Sequence, residues 1–165
     1  MDYALVVPCS RIHVTGANVW RYQIRESLWI DAPVEQVYAR ASDPEIVPSY
    51  APEIAQIKVV RRLSEHLVLV KSYLKVAGLT FGFLYQYHYR PPMHYSGVQE
   101  LGGLLRGYFT LSFRPCGRGT TVSHTEGVLS AVPLLAWLSG FIYFHILARG
   151  GARKELGGLK DLVER

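Results

Sequence analysis

Two residues of the chain, His124 and Glu126, have types and spacing suited to acid–base chemistry. They are in phase with Val122 and Val128 in a stretch that alternates with period two, so a strand that buries the valines also turns the imidazole and the carboxyl inward. Burial among apolar groups raises the pKa of a carboxyl, and an imidazole titrates near neutral pH. The sequence therefore predicts a pair able to move a proton at a carbonyl, as in enolisation or dehydration.

Four further polar residues are candidates for the same site. Glu26 is in phase with apolar residues of an earlier strand, and His145 falls near the apolar stripe of a C-terminal helix. The phenols of Tyr85 and Tyr87 are suited to holding an enolate oxygen. A second interpretation stays open at this point, because a buried His–Glu pair and hydrogen-bonded phenols also occur in large cores without any chemical role.

A metal site needs more ligands than the sequence places together. His124 and Glu126 supply two from one strand, and nothing in the spacing fixes a third. The glycine-rich turns lack the strand–loop–helix context of a phosphate-binding loop. We therefore expect no metal and no cofactor.

Hydrophobic periodicity predicts the elements that hold these residues. Proline-flanked helical spacing predicts two short helices, around 34–42 and 46–50, and apolar residues at helical spacing predict one long helix from about 133 to 163. Period-two alternation indicates seven strands, and the short turns between the last six make them antiparallel. The predicted strands lie at about 20–30, 54–62, 66–77, 80–90, 94–101, 105–114 and 120–129.

An antiparallel sheet curled around a long apolar helix leaves a gap lined by apolar and aromatic groups, which gives an α+β fold with a cavity. Alternation decides which residues of each strand face that gap, unless a β-bulge inverts the register, for which Gly97 and Gly107 are the candidate positions. The residues predicted to contact a ligand are Glu26, Ser72, Phe83, Tyr85, Tyr87, Phe109, Leu111, His124, Glu126, Leu138, Phe141 and His145.

Composition and charge exclude several classes of protein. With 49% hydrophobic and 19% charged residues the chain is not disordered, and its 165 residues suit one domain over 1–165, of which 1–19 has no assigned structure. The net charge of +5 is scattered in runs of at most two basic residues, which argues against nucleic-acid binding. Two cysteines without a CxxC spacing, and an N-terminus without signal-peptide features, predict a reducing, cytoplasmic setting.

One segment, residues 131–148, carries no formal charge over about the length of a membrane span. Pro133, Ser139, Gly140 and His145 interrupt it, and an amphipathic stretch follows it. These features favour burial of the segment within the protein over contact with a membrane interface or a true span.

Several short motifs resemble those of a known superfamily over roughly residues 20–164. They are an I-x-A-P-x-x-x-V-Y entry into the first helix, an Asp-Pro after it, a G-T-x-V that opens the last strand, and a Leu-Lys near the C-terminus, here Ile30, Ala32, Pro33, Val37, Tyr38, Asp43-Pro44, Gly119, Thr120, Val122 and Leu159-Lys160. With them the chain resembles the START-like, Bet v 1-like superfamily, which includes the polyketide cyclase/dehydrase proteins. The resemblance implies a helix-grip fold with a hydrophobic cavity.

The same resemblance bears on function. Members of the superfamily bind lipids, sterols, hormones or polyketides, and some catalyse cyclisation and aromatisation. The superfamily has no shared catalytic motif to carry over, so the candidate site residues rest on this sequence alone.

Three hypotheses follow from the sequence. The leading one is binding of a hydrophobic or aromatic small molecule, such as a polyketide, lipid or isoprenoid, between the sheet and the C-terminal helix. The second is a cyclase, aromatase or dehydratase in which His124 and Glu126 shuttle protons. The third is docking on a membrane or a partner through the apolar segment 132–147. The sequence leaves the oligomeric state and the presence of any enzymatic activity open.

Overall fold

Period-two stretches of the chain form one antiparallel sheet in the computed structural model, which describes residues 7–14, 17–100, 103–147 and 150–165. The strands of this sheet are β1 (Val7–Val14), β2 (Ala17–Ile30), β3 (Ile54–Arg62), β4 (Leu67–Val76), β5 (Leu79–Arg90), β6 (His94–Gln99), β7 (Arg106–Cys116) and β8 (Gly119–Ser130). They lie side by side in the order β1-β2-β8-β7-β6-β5-β4-β3. β8 is thus an inner strand, between β2 and β7.

The helices lie in two regions of the chain. α1 (Val34–Ala41) and α2 (Val47–Tyr50) connect β2 to β3. β3 forms the edge of the sheet opposite to β1. After β8 come α3 (Pro133–Ile142), a π-helical turn (Tyr143–Leu147) and α4 (Gly151–Val163). The amphipathic α4 buries Ala152, Leu156, Leu159 and Val163, and it packs against β2 and β8.

All seven strands that the sequence predicts form close to their predicted bounds, and β1 adds an eighth. The α+β fold with an antiparallel sheet and a C-terminal helical region is thereby confirmed. The register is continuous through Gly97 and Gly107, so the bulges considered there are absent. Gly97 instead leaves room for two rings, because a Cβ atom there would lie 2.3 Å from Phe109 and 2.8 Å from Tyr87.

The prediction of one continuous helix from 133 to 163 is wrong. The π-helical turn follows α3, and Gly150 at the start of α4 has a φ of +73°, in the left-handed region. Glycine adopts this conformation without the steric penalty of a Cβ atom, so the chain is able to turn there and begin a second helix.

The buried side of α3 consists of small residues. Ala136 is fully buried, and Gly140 lies so close to Tyr22 of β2 that an added Cβ atom would be 2.4 Å from the ring. The large apolar side chains of this region are exposed instead. The predicted burial of segment 131–148 is therefore wrong for the following residues: Val132, Leu134, Trp137, Leu138, Phe141, Ile142 and Ile146. None of the described helices is long and apolar enough to cross a membrane.

Candidate functional site

A cavity of about 440 Å³ lies between the inner face of the sheet and the C-terminal helices. β4, β5, β6, β7 and β8 supply one wall, and side chains from α3, the π-helical turn and α4 supply the other. Six of the residues predicted to contact a ligand line this cavity: Phe83, Tyr85, Tyr87, Phe109, His124 and Glu126.

The sheet wall is largely aromatic because the odd positions of β5 share one face. Tyr87 meets Phe109 with ring centroids 5.1 Å apart and an interplanar angle of 83°. Tyr95 of β6 meets the same Phe109 at 5.5 Å and 73°. These edge-to-face contacts fix the rings against one another, so this wall is preformed.

A polar cluster is set into the cavity wall beside these rings. The Nε2 atom of His124 lies 3.3 Å from Oε1 of Glu126, and its Nδ1 atom lies 3.7 Å from Oε2 of Glu155 on α4. His124 is only 2% exposed, and neither ring nitrogen has a hydrogen-bond partner among the described residues. One ligand atom from each of the three side chains lies within 4.8 Å of the other two, so these residues could hold a metal ion.

Burial sets the protonation of this cluster. It lowers the pKa of His124 to about 3, because the imidazolium would lose its hydration. It raises the pKa of Glu126 and of Glu155, and the charge of the nearby Glu53 raises both further. All three groups therefore favour their neutral forms, and in that state their close contacts are not ion pairs.

The phenols near the cluster also favour their neutral forms, because burial raises their pKa values. Burial raises the pKa of Tyr85 to about 12, and the negative charge of Glu126 adds to the effect. Burial also raises the pKa of Tyr143, on the π-helical turn, above its ordinary value. Both hydroxyls keep their protons at neutral pH, so they are available as hydrogen-bond donors to a ligand oxygen.

Three predicted residues on the sheet do not line the cavity. Ser72 and Leu111 face inward as expected but are buried in the core beneath the wall, where the Ser72 hydroxyl hydrogen-bonds that of Tyr87 at 3.2 Å. Glu26 pairs with His124 in the β2–β8 register, yet it is not a lining residue, and α4 packs over its strand. Alternation thus gives the face of a strand correctly but not which part of that face stays uncovered.

Three predicted helix residues also lie outside the cavity. Leu138 and Phe141 are 43% and 41% exposed, because α3 turns its small residues toward the sheet. His145 is exposed as well, and its Nε2 atom is 2.8 Å from the hydroxyl of Tyr22. In a helix that is apolar on every side, hydrophobic spacing alone does not identify the packed face.

Several lining residues were missed from the sequence: Glu53, Tyr95, Gln99, Tyr143, Phe144 and Glu155. Glu155 had a detectable signal. It lies three residues after Ala152 and directly before Leu156, so its spacing places a carboxyl on the apolar stripe of α4. Glu53 follows Pro52 outside any periodic stretch and gave no such signal.

The cavity therefore combines an apolar and aromatic interior with one polar corner. Its lining contains three carboxyls, one imidazole and several phenols, but no lysine or arginine among the described residues. Apolar walls favour a ligand with a large hydrophobic surface, and the polar corner is able to orient it.

Solved structures of other proteins share this fold. The di-domain ARO/CYC BexL from the BE-7585A biosynthetic pathway has a TM-score of 0.72 at 16% identity, covering 88% of this chain and 50% of that one, so the present chain spans half of BexL. The Zhui aromatase/cyclase from Streptomyces sp. R1128 has a TM-score of 0.72 at 12% identity, with coverage of 88% and 94%. A START superfamily protein from Mycobacterium smegmatis has a TM-score of 0.65 at 17% identity, with coverage of 86% and 97%.

These likenesses confirm the START-like, Bet v 1-like fold that the motifs imply. No curated protein matches the chain in sequence. Residues 14–164 match the family model described as polyketide cyclase / dehydrase and lipid transport, and this match covers nearly the whole chain. The protein belongs to the polyketide cyclase/dehydrase and lipid transport family.

Proposed function

We propose that the protein binds a hydrophobic or aromatic small molecule, of polyketide, lipid or isoprenoid type, in the cavity between sheet and C-terminal helices. The observation that carries the proposal is the 440 Å³ cavity with its preformed aromatic wall. This volume lies within the range of small-molecule sites, roughly 300–1,000 Å³. Membership of a family that includes lipid transport supports the same function.

The binding energy comes mainly from apolar contact. Each apolar Å² removed from water contributes on the order of 25 cal/mol, so a ligand that covers the rings of Phe83, Tyr85 and Phe109 gains several kcal/mol from them. The polar corner at His124 and Glu126 contributes orientation instead, since each polar contact offsets the cost of removing both partners from water. We also propose that the protein binds its ligand in the cytoplasm.

Native mass spectrometry of freshly purified protein, followed by organic extraction, tests the proposal. We expect a stoichiometric apolar compound, or tight binding of an apolar fluorescent probe by protein that has been delipidated. A protein that carries no compound and binds no apolar probe contradicts the proposal.

A pair of neighbouring substitutions shows whether binding occurs in this cavity. Leu74→Trp on β4 adds an indole to the lining and is expected to reduce probe affinity by at least about tenfold. Tyr73→Trp is the matched control, because Tyr73 points to the other side of the sheet, under the ammonium groups of Lys58 and Lys71 at 5.7 and 5.4 Å. Equal losses in both variants would place the probe elsewhere.

A second candidate function is catalysis of the polyketide cyclase/dehydrase type. The observation that favours it is the close approach of His124 and Glu126 within the cavity, beside the protonated phenol of Tyr85. In this scheme the pair shuttles a proton and the phenol donates to a developing enolate oxygen. With the extracted compound as substrate, an enzyme loses turnover but keeps binding in His124→Ala and Glu126→Gln, whereas a pure binding protein loses only affinity.

A further inference from the structure

Residues from two distant parts of the chain converge at one corner of the cavity. His124 and Glu126 stand two residues apart on β8, so they share a face, and α4 brings Glu155 against them. One donor atom from each side chain lies within 4.8 Å of the other two. The sequence placed the first two ligands together, and the fold supplies the third that the spacing on β8 does not contain.

The ring nitrogens of His124 give a second, independent indication that a ligand binds at this corner. His124 is 2% exposed and lines the cavity, and neither Nδ1 nor Nε2 has a hydrogen-bond partner in the described part of the chain. The contacts of 3.3 and 3.7 Å to the two carboxyls lack hydrogen-bond geometry. Buried imidazole nitrogens are normally paired, so a partner that the protein itself does not provide is expected here.

The ionisable groups that line the cavity indicate that the missing partner of His124 is a cation. Glu53 also lines the cavity, so three carboxyls face it, and no lysine or arginine does so among the described residues. Carboxyls crowded into an apolar cavity repel one another once they ionise. A cation between them removes this repulsion and also accepts the free electron pair of a neutral imidazole.

We propose that His124, Glu126 and Glu155 bind one divalent first-row transition-metal ion. One imidazole nitrogen with two carboxylate oxygens is a donor set that suits ions such as Zn²⁺, Mn²⁺ and Fe²⁺, whereas Ca²⁺ and Mg²⁺ prefer oxygen alone. Three protein ligands leave the remaining coordination positions directed into the cavity, where a ligand oxygen or water completes the shell.

The present separations are compatible with this assignment. Ligand atoms held about 2.0–2.2 Å from Zn²⁺ lie roughly 3–3.6 Å from one another. The His124–Glu126 and His124–Glu155 contacts, at 3.3 and 3.7 Å, are already close to that spacing. The two contacts are made to different ring nitrogens, Nε2 for Glu126 and Nδ1 for Glu155, so one ion bound at a single nitrogen requires the glutamate at the other nitrogen to rotate toward it.

Zn²⁺ binding to chelator-treated full-length protein, without any organic ligand, tests the proposal. We expect calorimetry and equilibrium dialysis to give one ion per chain with a dissociation constant at or below about 1 µM. Glu155→Gln and Glu126→Gln are each expected to weaken binding on the order of 100-fold. Asp161→Asn is the matched control, because it removes one negative charge from an exposed position of the same helix and is expected to leave affinity unchanged.

Co²⁺ provides a second, spectroscopic readout, and circular dichroism controls for the folding of the variants. Nitrogen and oxygen ligands give visible d–d bands without the strong thiolate-to-metal absorption that binding at the exposed Cys116 would add. Loss of these bands in Glu155→Gln, with circular dichroism unchanged, supports the site. Absence of Zn²⁺ binding, a thiolate spectrum, or equal affinity in Glu155→Gln and Asp161→Asn overturns the proposal.

This outcome is separate from that of the proposed function. Metal affinity is measured on protein without an organic ligand, and probe affinity is measured on metal-free protein. Zn²⁺ binding without probe binding therefore contradicts only the proposed function, and probe binding without Zn²⁺ binding contradicts only the metal site.

Discussion

Tyr22 of β2 packs directly against Gly140 of α3, where an added Cβ atom would lie 2.4 Å from the ring. The hydroxyl of the same tyrosine reaches Nε2 of His145 at 2.8 Å, one helical turn further on. A single side chain thus holds both α3 and the π-helical turn against the sheet. This contact positions the helical wall of the cavity.

Gly140→Ala is expected to lower the free energy of unfolding by about 1–3 kcal/mol, because the ring or the helix must move to admit the methyl group. Chemical denaturation measures the change. Gly157→Ala on α4 is the control, since nothing lies within 4 Å of the place its new methyl group would take, and the exchange is expected to gain up to about 1 kcal/mol of helix propensity. Similar stability of the two variants would show that α3 is not held closely at Tyr22.

The hydrogen bond between Ser72 and Tyr87 beneath the aromatic wall predicts a coupled pair. Tyr87→Phe leaves the buried Ser72 hydroxyl without its partner, so a loss of about 1–3 kcal/mol of unfolding free energy is expected. Adding Ser72→Ala removes the orphaned group and is expected to restore part of that loss. A double-mutant cycle by urea denaturation measures the coupling, and strict additivity would mean that the two hydroxyls do not interact.

Two half-buried phenols, those of Tyr89 and Tyr108, predict loss of stability in alkali. Burial raises the pKa of Tyr89 and of Tyr108 from 10.0 in the unfolded chain to about 12. Between these values the unfolded state releases protons that the folded state retains, so the free energy of unfolding is unaffected below pH 10 and falls as the pH rises toward 12. Phenolate absorbance and denaturation curves over this range measure it. Tyr108→Phe should flatten the decline, and an unchanged slope would contradict the prediction.

The exposed apolar face of α3 predicts contact with lipid surfaces. We expect the protein to sediment with phospholipid vesicles, and Leu134→Ser to weaken this association about tenfold or more, because an inserted leucine contributes about 1.5–3 kcal/mol. Leu79→Ser is the matched control: Leu79 is 63% exposed and Leu134 is 66% exposed, but Leu79 begins β5 and is not part of α3. Equal effects of the two substitutions, or no sedimentation, would count against docking through this face.

The sheet side of the cavity could be predicted from the sequence because its period-two pattern runs unbroken. The register of β5 and β8 carries no bulge, so Tyr85, Tyr87, His124 and Glu126 face the same side as their apolar neighbours. Their placement follows from alternation alone. Ser72 and Leu111 obey the same rule, but their burial in the core depends on where helices cover the sheet, which alternation does not encode.

The helical side could not be predicted in the same way. In α3 nearly every position is apolar, and the choice of packed face follows from size, because the small residues Ala136 and Gly140 are buried and Gly140 lies directly against Tyr22. The π-helical turn and the left-handed Gly150 then shift the phase of everything that follows. The one sequence signal for Glu155 is a charged residue on the apolar stripe of α4.

The pairing of β2 with β8 also governs when the protein is able to fold. Ser27 and Ser123 face each other across these strands although 96 residues separate them, and every helix that closes the cavity after β8 is made later still. During synthesis one edge of β2 therefore stays unpaired until β8 has also left the ribosome. Pairing over such a distance slows folding and leaves that edge open to neighbouring nascent chains. The polar corner of the cavity needs residues of both β8 and α4, so it forms only after both segments have been synthesised.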